Sequence, residues 1–128
     1  MLQGSTVEQR RHYAIRMLEK AGVSSDAALL RAFTQVPRED FVGPPPWLVS
    51  NHGGYREAPS NDVALLYDDV LIALDAPRGV NNGSPSLHAL GIHALAPKPG
   101  ERIFHIGAGT GYYSAILAEL VGAAGHVR

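Results

Sequence analysis

The chain has 128 residues, of which 45% are hydrophobic and 18% are charged, and this balance predicts one small globular domain and excludes a disordered chain. A net charge of −1 makes nucleic acid and anionic membranes unfavoured partners, and the absence of cysteine excludes disulfides and thiol chemistry. The polar start lacks the apolar core of a signal peptide, and no stretch approaches the roughly 18–20 apolar residues of a membrane span, so we expect a cytoplasmic protein. The six histidines lack metal-ligand spacing, so no metal site is expected.

Two helices are predicted first. Ser5 and Glu8 have the spacing of a capping box, and Gly22 closes the helix behind them. The apolar stripe of this helix consists of Val7, Ala14, Met17, Leu18 and Ala21. A second helix is expected from about Ser25 to a residue before Pro37, and it should bury Leu29, Ala32 and Phe33.

The middle of the chain has weaker signals. Residues 43–61 are rich in proline, glycine and serine, which predicts a loop or an irregular cover. Residues 63–74 are apolar around Asp68 and Asp69, and their pattern fits a strand or a helix equally well. Residues 78–83 have the glycines and asparagines of a tight turn.

A helix, a strand, a glycine loop and another helix are predicted next. Ser84 followed by Pro85 is a strong helix start, and Pro97 lies beyond its end. The expected apolar face of this helix consists of Leu87, Leu90, Ala94 and Leu95. Residues 102–106 predict a short buried strand, residues 107–111 a loop, and residues 112–121 the final helix.

The loop between strand and helix has glycine at positions 107, 109 and 111. A dinucleotide fingerprint would need glycine at position 112, where the chain has Tyr112, so a nicotinamide-dependent oxidoreductase is disfavoured. The loop also lacks the lysine of a phosphate-binding loop. The spacing suits a cofactor whose amino-acid and ribose portions lie over the loop, such as S-adenosylmethionine. The alternative is that the glycines only allow strand and helix to pack closely.

Four segments occur in the order found in one family: Arg16-Met17-Leu18, residues 36–42 (VPREDFV), residues 84–89 (SPSLHA) and residues 105–118 (HIGAGTGYYSAILA). In this order they resemble the protein-L-isoaspartate O-methyltransferases. The resemblance implies an α/β fold in which residues 1–83 form a helical and loop cover. Residues 84–128 would then begin a Rossmann-like domain that binds S-adenosylmethionine. It also implies a truncated sheet whose carboxy-terminal half is missing, because the second strand should begin near Val127.

The resemblance also implies the site. Residues expected near the cofactor are Asn82, Gly83, His88, Gly107, Ala108, Gly109 and Gly111. The serine that the family uses in catalysis falls at Gly83, and a one-residue shift makes Ser84 the candidate catalytic residue. The alternative is that Ser84 only caps the helix begun by Pro85. His88 either borders the cofactor or is a partly buried histidine bonded to the backbone.

The implied function is methyl transfer from S-adenosylmethionine to a carboxylate on damaged protein or peptide, as in protein repair. The alternative is a noncatalytic cofactor-binding or interaction module, which the glycine at position 83 favours. Arg38 and Glu39 are expected to form a structural ion pair, the alternative being a substrate clamp. Tyr112 and Tyr113 are expected to pack the start of the last helix, the alternative being that one ring borders the cofactor site. The 128-residue chain alone is expected to be inactive.

Overall fold

A computed structural model describes residues 3–50 and 53–128 of the chain, and they form an α/β fold. The α-helices of this part are α1 Val7–Ala21, α2 Ala27–Gln35, α3 Pro85–Leu95 and α4 Tyr112–Val121. The strands are β1 Leu48–Ser50, β2 Arg56–Glu57, β3 Leu71–Asp75, β4 Val80–Asn81, β5 Arg102–Ile103 and β6 His126–Val127. Short 3-10 helices cover Arg38–Phe41, Val63–Leu66 and Ala76–Arg78. None of the described helices is long and apolar enough to cross a membrane.

The predicted start of α1 is wrong by one residue. Thr6 is the N-cap: its hydroxyl accepts from the Gln9 amide at 3.1 Å, and the Gln9 side chain accepts from the Thr6 amide at 2.8 Å. Ser5 does not cap the helix, because it is bonded to Glu39, to which its amide donates at 2.6 Å. Gly22 ends the helix in the left-handed conformation, as predicted.

The predicted core faces of α1 and α2 are largely confirmed. Ala14, Met17 and Leu18 are buried, whereas Val7 at the helix start is 57% exposed. In α2 all three predicted core residues, Leu29, Ala32 and Phe33, are buried. The centre of the core consists of residues that are at most 1% exposed, among them Tyr13, Phe33, Leu66, Ile72, Tyr112 and Ile116.

The stretch predicted as irregular contains two short strands. β1 pairs antiparallel with both β2 and β3, and β4 completes a sheet with the order β2-β1-β3-β4. Residues 63–74 adopt both of the alternatives left open, first a 3-10 helix and then β3. Residues 51 and 52 of the predicted loop lie outside the described residues.

Helix α3 starts as predicted but buries the opposite face. Its inward face is made of Pro85, Ala89 and Ile92, which let α1 pack closely. The predicted face is solvent-exposed, with exposed fractions of 66% for Leu87, 47% for Leu90 and 59% for Leu95. The helix is apolar on nearly every side, so its sequence does not say which side meets the core.

Strands β5 and β6 are parallel and joined through α4, with Arg102 opposite His126 and Ile103 opposite Val127. The second strand therefore begins where it was predicted. The strand predicted over residues 102–106 ends at Ile103, and the prediction that it is buried is wrong. Arg102 is exposed and Ile103 is half-buried, and beyond the strand Phe104 is 73% exposed and Ile106 is 94% exposed. Phe104 and Ile106 follow the end of β5, and among the described residues β5 pairs with β6 alone.

Candidate cofactor site

A small cleft opens beside the loop that connects β5 to α4. It has a volume of about 80 Å³ and is lined by Leu74, Asn81, Asn82, Gly83, His88, His105, Gly107, Ala108, Gly109 and Tyr113. Six of the predicted site residues therefore meet at one place, while Ser84 and Gly111 are outside the lining. Ligand pockets usually measure about 300–1,000 Å³, so this cleft by itself is smaller than a typical ligand pocket.

The glycine loop needs its glycines for backbone conformation. Gly107, Gly109 and Gly111 have φ angles of 73°, 59° and 98°, which side-chain-bearing residues rarely adopt. A Cβ at Gly109 would lie 3.3 Å from the Leu74 side chain, whereas the space beside Gly107 and Gly111 is open. Gly111 is the N-cap of α4 and has no side chain to cap the helix. The backbone amides of the first turn of α4 can therefore donate to a polar ligand group. The loop therefore fits a group that approaches the backbone closely.

Arg38 holds the opposite wall of the cleft in place. Its guanidinium is fully buried and donates to the carbonyl oxygens of Leu66 and Val70, each at 2.7 Å, and to the Asn82 side-chain oxygen at 3.0 Å. The predicted ion pair between Arg38 and Glu39 does not form. Adjacent residues on a helical turn point in different directions, and the Glu39 carboxylate instead accepts from Ser5 and Tyr67.

His88 and Tyr113 form a flat surface over Gly83. Their rings are stacked, with centroids 3.7 Å apart and planes 7° from parallel. The Tyr113 hydroxyl donates to the Gly83 carbonyl oxygen at 3.1 Å, and burial raises the pKa of Tyr113, which therefore stays protonated. The Nδ1 atom of His88 lies 2.8 Å from the carbonyl oxygen of Ser84. His88 is thus a partly buried histidine bonded to the backbone, and it also lines the cleft, while its place beside a cofactor stays a prediction.

The hydroxyl of Ser84 is engaged away from the cleft lining. It accepts from the Leu87 amide at 3.3 Å, as a helix cap does, and donates to Asp69 at 2.8 Å. Asp69 also accepts from the Ser86 amide and hydroxyl and contacts the Lys20 amine at 2.6 Å. Burial alone would raise the pKa of Asp69, but the bonds from Lys20, Ser86 and Ser84 lower it well below its usual value. A catalytic role for Ser84 stays a prediction.

The sequence reasoning missed three residues that shape the site. Asp69 lies 15 residues before Ser84 in the chain, and only the fold brings the two together. His105 lines the cleft and its Nδ1 lies 2.6 Å from the Ser114 hydroxyl. Arg38 was predicted as an ion-pair partner of Glu39, and nothing in the sequence indicated that it would be buried against Asn82.

Two parallel strands are joined by a glycine loop and a helix, and a cleft lies at the carboxyl end of the first strand. This arrangement defines the start of a Rossmann-like sheet. The chain belongs to the protein-L-isoaspartate(D-aspartate) O-methyltransferase family, whose sequence profile matches residues 9–128.

Curated relatives named protein-L-isoaspartate O-methyltransferase agree with this assignment. The chain is 36% identical to the one from Methylorubrum populi over 108 residues, which are 82% of this chain and 42% of that protein. It is 31% identical to the one from Aeropyrum pernix over 113 residues, which are 88% of this chain and 36% of that protein. The chain therefore spans less than half the length of either relative.

Solved structures show the same fold. One protein-L-isoaspartate O-methyltransferase superposes with a TM-score of 0.66 at 28% identity, covering 91% of this chain and 32% of that structure. Another, described as a protein-L-isoaspartate O-methyltransferase from Plasmodium falciparum in complex with S-adenosyl-L-homocysteine, has a TM-score of 0.63 at 21% identity. It covers 92% of this chain and 46% of that structure, and at this identity it supports the fold alone.

Proposed function

We propose that the whole protein, meaning the full product of its coding sequence, transfers a methyl group from S-adenosylmethionine. The observation that carries the proposal is the single cleft where the loop glycines meet Asn82, Gly83 and His88. In Rossmann-like sheets ligands bind outside the carboxyl ends of the strands, and this cleft has that position. Residues 1–83 would cover the site, and residues 84–128 would begin the cofactor-binding domain.

Each wall of the cleft would hold a different part of S-adenosylmethionine. Gly107, Ala108 and Gly109 allow close approach to the backbone, and the side-chain nitrogen of Asn82 is left to donate because Arg38 occupies its oxygen. When bound, the cofactor supplies an activated methyl group on a positively charged sulfur. The residues of this chain orient that group and exclude water, and such positioning contributes on the order of 7–11 kcal/mol in favourable model reactions.

The proposed acceptor is a carboxylate on damaged protein or peptide, as the names of the relatives suggest. A carboxylate is already ionised at neutral pH, so its methylation requires alignment and no base. Protein repair in the cytoplasm would follow from such an activity, and cell fractionation would check the compartment.

A noncatalytic cofactor-binding module is the second candidate, and one observation favours it. The position of the family's serine is Gly83, and the ring of His88 fills the space where a side chain would lie there. A site of this kind would bind the cofactor without the hydroxyl that the family uses.

Calorimetry and a transfer assay on the whole protein distinguish these functions. We expect S-adenosylhomocysteine to bind and labelled methyl groups to pass to a peptide with one L-isoaspartyl residue. Binding without transfer would favour the noncatalytic module. Binding of NAD in place of S-adenosylhomocysteine would support the oxidoreductase alternative and contradict the proposal.

A further inference from the structure

The neutral ring of His88 carries its hydrogen on one defined nitrogen. Its Nδ1 atom lies 2.8 Å from the Ser84 carbonyl oxygen, and a carbonyl oxygen only accepts, so Nδ1 is the donor and Nε2 has a lone pair. Burial lowers the pKa of His88. The hydrogen bond to Ser84 raises this pKa, the charges of His105 and Arg38 lower it further, and the net effect is a lowered pKa. The neutral ring is therefore the form present at pH 7.

The ring is also held in one orientation. It stacks on Tyr113, and its Cε1 atom lies 2.5 Å from the position that a Cβ of Gly83 would take. In the part of the chain that the structure describes, Nε2 makes no hydrogen bond, and every buried polar side-chain atom has a partner. Nε2 is therefore accessible to solvent, on a ring that lines the cleft.

We propose that Nε2 of His88 accepts the proton of an alcohol acceptor, which extends methyl transfer at this site from carboxylates to hydroxyl groups. This inference rests on the proposed function. A hydroxyl oxygen must lose its proton when it is methylated, whereas a carboxylate oxygen has none to lose. The imidazole of His88 occupies the space that a hydroxyl-bearing side chain at position 83 would fill. An imidazole is a far better proton acceptor than a hydroxyl group.

S-adenosylmethionine supplies the methyl group, and the electron pair of the broken carbon–sulfur bond stays on sulfur. A lone pair of the acceptor oxygen forms the new bond to carbon, the O–H electron pair stays on oxygen, and the proton passes to Nε2. The resulting imidazolium of His88 then releases the proton to water.

The experiment uses the whole protein and two peptides of one sequence. The first has a single L-isoaspartyl residue, and in the second the free carboxylate of that residue is reduced to a primary alcohol. We expect the unaltered protein to methylate both peptides. His88→Phe keeps a flat ring against Tyr113 but has no proton acceptor, so transfer to the alcohol should fall about 10²–10⁴-fold more than transfer to the carboxylate. His93→Phe, on the same helix with a side chain 44% exposed, should leave the ratio of the two rates unchanged.

A second variant and a second readout do not depend on His88→Phe folding well. His88→Gln keeps a donor for the Ser84 carbonyl and should show the same selective loss. Nitrogen-15 NMR of the unaltered protein at neutral pH should show the hydrogen of His88 on Nδ1, and a hydrogen on Nε2 would overturn the inference. Transfer to the isoaspartyl peptide alone, or equal losses for both peptides, would overturn it while leaving the proposed function intact. Binding of S-adenosylhomocysteine with no transfer to either peptide would overturn both.

Discussion

The ring of His88 lies where a side chain at position 83 would lie. An ideal Cβ on Gly83 would be 2.5 Å from the His88 Cε1 atom, closer than real side chains approach one another. Gly83 also has a φ angle of 78°, which disfavours any residue with a side chain. A side chain at position 83 would therefore require the His88 ring to shift, in addition to the unfavourable backbone conformation.

Replacing Gly83 by serine should consequently destabilise the whole protein, by about 1–3 kcal/mol from overpacking in addition to the backbone strain. The double variant Gly83→Ser, His88→Ala should be more stable than the sum of the single changes predicts, because the smaller residue makes room. Urea unfolding of the four proteins measures this coupling. Gly79→Ser is the matched control, since Gly79 has a φ of 69° and open space beside it. Additive effects of the two single changes would contradict the contact.

Gly109→Val tests the glycine loop as a binding surface. Gly109 has a φ of 59°, and a side chain there would meet Leu74 and narrow the cleft. We expect affinity for S-adenosylhomocysteine to fall at least about tenfold, or 1.4 kcal/mol, while the fold is retained. Gly22→Val carries similar backbone strain at a φ of 74° but lies at the end of α1, outside the cleft. Equal affinity in both variants would mean that the loop is only a packing turn.

Asp69 should make the free energy of unfolding depend on pH in the acidic range. Its carboxylate accepts from Ser84 and Ser86 and pairs with Lys20, and these bonds bring its folded pKa below the ordinary value of 3.8 despite the opposing effect of burial. A lowered folded pKa stabilises the fold above pH 3.8, and that contribution is lost as the pH falls below this value.

Asp69→Asn should therefore lower the free energy of unfolding at pH 7 and flatten its decline below about pH 4. Urea unfolding over a series of pH values measures both effects. Asp40→Asn, at an exposed position, is the control and should leave the profile unchanged. An Asp69→Asn profile parallel to that of the unaltered protein would mean that the lowered pKa is not a source of stability.

Local signals predicted much of the fold. Helix ends are determined by residues within one helical turn, so the local sequence predicts them. Examples are the left-handed glycine after α1, the serine and proline at the start of α3, and the bounds of α4. The strands β1 and β2 depend on pairing with β3, which composition does not show. The predicted inward face of α3 was wrong because the helix is apolar on nearly every side, and it buries Pro85, Ala89 and Ile92 and leaves its leucines exposed.

The sequence predicted six of the residues that line the cleft, but not the contacts that hold them in place. The spacing of the loop glycines and the resemblance around residues 81–89 were enough to gather six residues that line one cleft. Arg38 reaches Asn82 across 44 residues of sequence, and such a contact depends on the whole fold. The stack of His88 on Tyr113 depends likewise on how α3 and α4 are placed.

The isolated 128-residue chain should bind S-adenosylmethionine weakly or not at all. Its cleft measures about 80 Å³, well below the usual size of a ligand pocket, so most of the cofactor surface would remain in water. Calorimetry on this polypeptide, compared with the whole protein under the same conditions, tests the expectation. Micromolar affinity of the intact chain alone would show that the described residues suffice.

Ser84 has two possible roles that different measurements separate. If its hydroxyl orients the acceptor, Ser84→Ala in the whole protein should lower turnover while affinity for S-adenosylhomocysteine stays nearly constant. If the hydroxyl only caps α3, the change should cost about 0.5–2 kcal/mol of stability and leave turnover per folded molecule intact. The bonds of Ser84 to the Leu87 amide and to Asp69 favour the cap.

Ser84→Asp sharpens this test, because aspartate still caps a helix but carries a negative charge. Beside Asp69 that charge should be unfavourable, and it would repel a carboxylate acceptor bound nearby. Ser86→Asp adds the same charge two positions further along, within α3, and controls for the repulsion by Asp69 alone. A Ser84→Asp protein that is folded and fully active would exclude both a catalytic hydroxyl at position 84 and a carboxylate acceptor bound beside it.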